Sequence, residues 1–226
     1  MMRHALVTGA SSGIGRAIVE RLLREGWQVT GLSRTASGEA HPALRNIAID
    51  LHDEAALATL LPTLPSPDAF IHAAGMMQAA TLGALDGSIS RRLWHLHVQA
   101  AEIIANGLID RLPDSGRIVL IGSRTSRGAA GRSQYVATKA AMVGMARSWA
   151  AELAPRGVTV NVVAPGATET PMLKQPGRAG SPPQRPPIGR YIQPDEVAAL
   201  VSFLLSPAAA AITGQEIAIC GGASLS

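Results

Sequence analysis

Tyr135 and Lys139 stand four residues apart in the run Tyr135-Val136-Ala137-Thr138-Lys139, and Ser123 closes the segment that leads in to them. On a helix, residues at i and i+4 lie one above the other, so a phenol and an ammonium share one face. Groups of this kind can hold a substrate oxygen and move a proton to or from it. The same spacing is common on solvated helix faces, so the pair gains meaning only from the elements that carry it.

A second concentration of chemistry lies near the start of the chain. The apolar run His4-Ala-Leu-Val-Thr8 passes directly into Gly9-Ala-Ser11-Ser12-Gly13-Ile14-Gly15, after which Ile18, Leu22 and Leu23 recur at helical spacing. This pattern reads as strand, glycine turn and helix. Such a turn lets the backbone approach a pyrophosphate and aims the free amides of the helix start at it. The glycine spacing differs from the general Gly-x-Gly-x-x-Gly fingerprint, and it is the position after the first strand that makes nucleotide binding the better reading over tight packing alone.

The second strand runs over Gln28–Ser33 and ends at Ser33-Arg34, where an acid would hold a ribose 2′-hydroxyl and an arginine accommodates a 2′-phosphate. No carboxylate follows until Glu39, which favours NADP(H), with NAD(H) as the alternative.

The remaining elements alternate. Strands are expected at 46–50, from Ala69, at Arg117–Ile121, at 158–163 and at 215–219, with Asp50-Leu51 at the carboxyl end of the third. Helices are expected at 53–61, 88–112, around Tyr135 and Lys139, and Pro194–Leu205. Strand–helix alternation along the whole length predicts an α/β fold with a doubly wound parallel sheet and right-handed crossovers. The helix bearing Tyr135 is apolar around much of its circumference, which predicts packing against another subunit.

Composition sets the outer limits. With 226 residues and no linker dividing them, one domain is expected, and 47% hydrophobic against 16% charged residues suffices for a large core. The formal charge of +4 comes from arginines spread along the chain, which does not indicate nucleic-acid binding. The single cysteine, Cys220, excludes an internal disulfide, and no signal peptide or membrane span is expected, so the chain reads as cytoplasmic. No metal is called for. The stretch 171–187 carries six prolines with Lys174, Arg178 and Arg185 and no acid, and a loop over about 171–190 is expected to cover the substrate.

Taken together these residues resemble the short-chain dehydrogenase/reductase family. The matching pieces are Thr8-Gly-Ala-Ser-Ser-Gly-Ile-Gly15, Asp50-Leu51, Ala74-Gly75, Ser123, Tyr135-x-x-x-Lys139, Asn161-Val-Val-Ala-Pro165-Gly166 with Thr170, and Thr213-Gly214 with Gly221-Gly222, in the family's order. The resemblance implies a Rossmann-type sheet in the order 3-2-1-4-5-6-7, a nicotinamide cofactor, and hydride exchange between alcohol and carbonyl. Carried over by position, Tyr135 exchanges the proton, Ser123 holds the substrate oxygen, and Lys139 binds the nicotinamide ribose and lowers the tyrosine pKa. Thr168 and Thr170 join the cofactor set, and a homodimer or homotetramer is implied.

This chain also departs from the family pattern. His72-Ala73-Ala74-Gly75 stands where Asn-Asn-Ala-Gly is usual, and His72 reads as a hydrogen-bonded strand end. Gln99 aligns with the asparagine of the usual proton relay, Asn106 being too far along the axis to replace it. Ser126 is an alternative to Ser123, and Cys220 takes a place often held by an acid, as a packing residue. The competing reading is a dinucleotide-binding sensor or scaffold that does no chemistry.

Overall fold

Seven parallel strands form one sheet in the order β3-β2-β1-β4-β5-β6-β7. They are β1 (His4–Thr8), β2 (Gln28–Ser33), β3 (Leu44–Ala48), β4 (Ala69–His72), β5 (Arg117–Ile121), β6 (Thr159–Pro165) and β7 (Glu216–Ile219). The helices are α1 (Gly13–Arg24), α2 (Glu54–Leu60), α3 (Gly87–Trp94), α4 (Ala100–Leu108), α5 (Ser133–Leu153) and α6 (Pro194–Leu205). This computed structural model describes residues 2–35, 40–175 and 181–225.

The strands follow a period of two, each face of the sheet burying its own set. Leu6, Phe70, Ile118 and Leu120 pack into one core with residues of α2, α4 and α5. Ala5, Val7, Ala69, Ile71, Val119 and Ile121 point the other way, into a core completed by α1 and α6. Because both faces are covered, the strands read as nearly continuous apolar runs.

The strand order reverses between β1 and β4, so the connections leaving their carboxyl ends diverge and open a crevice. Gly9 lines the crevice on one side and Ala74-Gly75 on the other.

Several boundaries differ from the sequence reading by a residue or two, β6 running Thr159–Pro165 rather than 158–163, and two differences bear on the site. The third strand is Leu44–Ala48 rather than 46–50, because pairing with β2 begins at Val29 opposite Leu44. Ile49 still donates its N–H to Ser33 O at 2.8 Å, and Asp50 lies just beyond the ladder. The expected helix over 88–112 is two helices joined by a π-helical turn at His95–Gln99, with α4 ending at Leu108. A π turn adds a residue to the helical ladder and so rotates the faces of α3 relative to those of α4.

Within 171–190 the structure places a short 3-10 turn at Pro171–Lys174, and the expected position of Arg178 lies outside the described residues. Among the described residues no helix is long and apolar enough to cross a membrane.

Candidate active site

The glycine turn after β1 is shaped by two close approaches. Gly9 has φ +67°, and a Cβ there would come within 2.8 Å of the Ala74 backbone. A Cβ on Gly15 would sit 2.2 Å from the Gly9 carbonyl oxygen, so α1 can reach the turn only without a side chain at that position. Ser12 caps α1 without a side-chain hydrogen bond, and the first turn of α1 holds no acid. The amides and positive dipole end of α1 are therefore left available to an anion.

Thr8, at the end of β1, fastens this turn to β4. Its hydroxyl lies 3.0 Å from His72 Nδ1 and accepts the N–H groups of Ala73 and Ala74, each at 3.1 Å. His72 Nε2 is 3.0 Å from Leu96 O, a carbonyl that can only accept. The partners thus assign the proton to Nε2 and leave Nδ1 to accept from Thr8. Burial first, and then the charge of Lys139, pushes the His72 pKa down to about 3, so the ring is a neutral strut.

Ser123 is the first residue after β5 and Gly122, buried and extended. Its Oγ is 2.9 Å from Thr125 Oγ1 and accepts the Thr125 N–H at 3.2 Å. The turn after Ser123 leads into α5, which brings Tyr135 and Lys139 to the same cavity. Lys139 is 3% exposed; its Nζ donates to Ile121 O at 2.8 Å and lies 5.9 Å from the centre of the Tyr135 ring. Burial lowers the Lys139 pKa to about 7. Ser126, the alternative to Ser123, donates its hydroxyl to Glu216 and is not among the lining residues.

These groups open onto a cavity of about 500 Å³ whose lining includes Ser123, Tyr135 and Lys139 together with Gly9, Ser12, Gly13, Ile14, Gly15, Ala74 and Gly75. Arg34, Pro165, Gly166, Thr168 and Thr170 also line it. A neighbouring cleft that shares Gly9, Ser12 and Arg34 takes in Ser11, Ser33, Asp50 and Leu51. Ser33 spends its hydroxyl on Thr35 O at 2.8 Å, whereas Arg34 is exposed. Asp50 accepts the N–H of His52 at 3.0 Å, and that bond holds its pKa below the usual carboxylate value.

Gln99 is the one expected site residue that the fold brings to neither space. Its amide donates to Glu54 Oε1 at 2.6 Å, so it faces α2. The π turn instead carries His97 inward, where it is completely buried. His97 Nε2 accepts the Met76 N–H at 3.1 Å, and its Nδ1 is 2.8 Å from Thr138 Oγ1. Thr138 donates that hydroxyl to Tyr135 O at 2.8 Å, which assigns the imidazole proton to Nδ1. The ring meets Tyr135 edge-on, with centroids 5.6 Å apart. Burial first, then Lys139 and His72, drive the His97 pKa well below its ordinary value.

Neither Thr138 nor His97 stands out as a site residue from sequence, and Thr8 enters only as the first residue of the glycine motif. A polar residue ending a buried strand is a usable signal for Thr8, since a buried hydroxyl must find partners. For His97 the signal is hidden, because regular helical spacing does not anticipate a π turn.

The comparisons with known proteins agree with this geometry. A family model described as "Enoyl-(Acyl carrier protein) reductase" matches residues 9–224. A 3-oxoacyl-[acyl-carrier-protein] reductase, FabG, of Vibrio harveyi is 35% identical over 236 residues, covering 96% of each chain. The chain belongs to the short-chain dehydrogenase/reductase family. Among solved members, a short chain dehydrogenase family protein from Francisella tularensis superposes with a TM-score of 0.92 at 28% identity, covering 100% of both chains. A blue fluorescent protein from a metagenomic library, solved in complex with NADPH, gives a TM-score of 0.86 at 29% identity over 98% of this chain and 97% of that one. The sheet order 3-2-1-4-5-6-7 expected of a short-chain dehydrogenase/reductase is the order observed.

Proposed function

We propose that this short-chain dehydrogenase/reductase is an NADP(H)-dependent enzyme that interconverts a carbonyl and a secondary alcohol. The observation that carries the reading is the shared cavity: Ser123, Tyr135 and Lys139 line the same space as the glycine turn and Arg34. A module that only sensed a dinucleotide could use the lysine to hold the ribose, but it would have no chemical need for a phenol and a hydroxyl in register with it.

The residues present fit the cofactor. The start of α1, without a side-chain cap or acids, suits a pyrophosphate, and the glycine turn that leads into it lines the cavity. Arg34 at the end of β2 suits a 2′-phosphate, and the neighbour solved with NADPH supports that preference. When bound, the cofactor supplies the hydride.

The chain's own groups handle the oxygen. Ser123 holds the substrate oxygen by a hydrogen bond, and Tyr135 gives it a proton in reduction or takes one in oxidation. A free phenol titrates near pH ~10, and Lys139, where it carries its proton, favours the phenolate in the same cavity. Lys139 also binds the nicotinamide ribose. His97 sets the position of Tyr135 through Thr138, the place the sequence reading gave to Gln99.

On the same reading the chain is a single catalytic domain of a cytoplasmic enzyme, with 171–175 and 181–190 lying over the substrate. Pro171, Met172, Gln175 and Ser181 line the cavity, while Lys174 and Arg185 are exposed and do not. An even-numbered homo-oligomer is built on α5, whose Ala137, Ala140, Gly144 and Ala151 are exposed.

The test is a panel of carbonyls and alcohols, with an enoyl thioester included, assayed with NADP(H) and with NAD(H). Carbonyl reduction with NADPH supports the reading; turnover of the enoyl compound alone, or of nothing, refutes it.

A further inference from the structure

Among the described residues, the wall of the candidate active site carries four basic side chains, Arg34, Arg124, Arg132 and Lys139, and no aspartate or glutamate. Three of them have work already. Arg34 lies at the end of β2, Lys139 donates to Ile121 O at 2.8 Å, and Arg132 donates to Ser181 Oγ at 2.7 Å and to Ser181 O at 3.0 Å. Arg124 differs. It is half-buried in the wall, and among the described residues it makes no hydrogen bond or ion pair.

A partly desolvated guanidinium with no counter-charge is unfavourable, and its five donors in a planar fork match a carboxylate. The anions of the cofactor do not answer this need. In the sheet, β5 is separated from β2 by β1 and β4, so the carboxyl ends carrying Arg34 and Ser123 are three strand spacings apart, about 14 Å. The α1 start, which suits the pyrophosphate, follows β1 and is two spacings from β5, about 10 Å. Arg124 adjoins Ser123, on the side where the substrate oxygen would be held.

We propose that Arg124 binds a carboxylate of the substrate, so that the enzyme acts on small oxo acids and the corresponding hydroxy acids. The inference rests on the reductase reading above and adds to it the chemical class of the substrate. It also separates this chain from its FabG relative, whose name specifies an acyl chain on a carrier protein. In an oxo acid the free carboxylate is a near neighbour of the carbonyl, as Arg124 is of Ser123.

Paired substrates test it. NADPH consumption is followed with pyruvate and methyl pyruvate, and with acetoacetate and methyl acetoacetate, using the wild-type protein, Arg124→Gln and Arg124→Lys. The wild type should prefer an acid over its ester by at least about ten-fold in kcat/KM. Arg124→Gln should lose about ten- to hundred-fold on that acid, the loss typical of a hydrogen bond to a charged group, with the ester unchanged; Arg124→Lys should recover part of it. Equal use of acid and ester by the wild type overturns the proposal. So does an equal loss on both substrates in Arg124→Gln with thermal unfolding unchanged. Reduction of neutral ketones without reduction of either acid overturns the proposal and leaves the reductase reading standing. Failure to reduce any carbonyl overturns both.

Discussion

His97 Nδ1 and Thr138 Oγ1 are 2.8 Å apart, and this bond joins the π turn after α3 to the turn of α5 that carries Tyr135. The other ring nitrogen of His97 holds the Met76 N–H, beside the Ala74-Gly75 edge of the crevice. One neutral imidazole therefore ties the wall of the candidate cofactor site to the helix bearing the phenol.

Replacing His97 by leucine leaves the Met76 N–H and the Thr138 hydroxyl short of a partner. The expected cost is about 1–3 kcal/mol of stability together with a fall in kcat larger than the rise in KM. His97→Gln, whose amide can both donate and accept, should recover more of kcat than of stability. Thermal unfolding and steady-state kinetics on both variants check this, and a leucine variant with wild-type kcat would count against the positioning role.

Lys139 makes stability depend on pH in a defined direction. Its pKa falls from 10.5 to about 7 on folding, so between those values the unfolded chain holds a proton that the folded chain does not. Stability should then rise with pH from 7 towards 10.5, and below pH 7 the cost of burying the charge is constant. Subtracting the melting curve of Lys139→Met isolates this slope, expected to total a few kcal/mol. Parallel pH profiles for the two proteins would contradict it. On the acid side His72 and His97 act through the unfolded chain, which takes up protons below pH 6.5 while the buried rings stay neutral, so stability falls as pH falls.

Arg34→Ala should weaken NADPH far more than NADH. A guanidinium bound to phosphate is worth about 1.5–3 kcal/mol, or roughly ten- to hundred-fold in Kd. Calorimetric titration of both cofactors reads the ratio directly, and an unchanged ratio in the variant would remove Arg34 from the cofactor site.

How far the sequence alone reveals each residue depends on the kind of regularity that carries it. The doubly wound parallel sheet is legible because apolar runs alternate with helical periods, whereas its order 3-2-1-4-5-6-7 follows from the resemblance to the short-chain dehydrogenase/reductase family and is the order observed. Ser123, Tyr135 and Lys139 are legible because a strand end and an i, i+4 pair have fixed directions. Gln99, aligned by position with the asparagine of the family, donates to Glu54 instead, and His97 of the same π turn at His95–Gln99 reaches the cavity, because the direction of a side chain in a π turn is not given by sequence position. Arg124 is invisible for a different reason: the direction of a side chain in the turn after Ser123 depends on tertiary packing, which no local period encodes.

The central claim is that Tyr135 exchanges the proton with the substrate oxygen. Tyr135→Phe removes one hydroxyl and keeps the ring that packs edge-on against His97. NADPH consumption with a carbonyl substrate, measured beside NADPH binding by calorimetry, is the direct test. Retained NADPH affinity with kcat reduced by about a hundred-fold or more is the expected result. A phenylalanine variant that binds NADPH and turns over at the wild-type rate would contradict it.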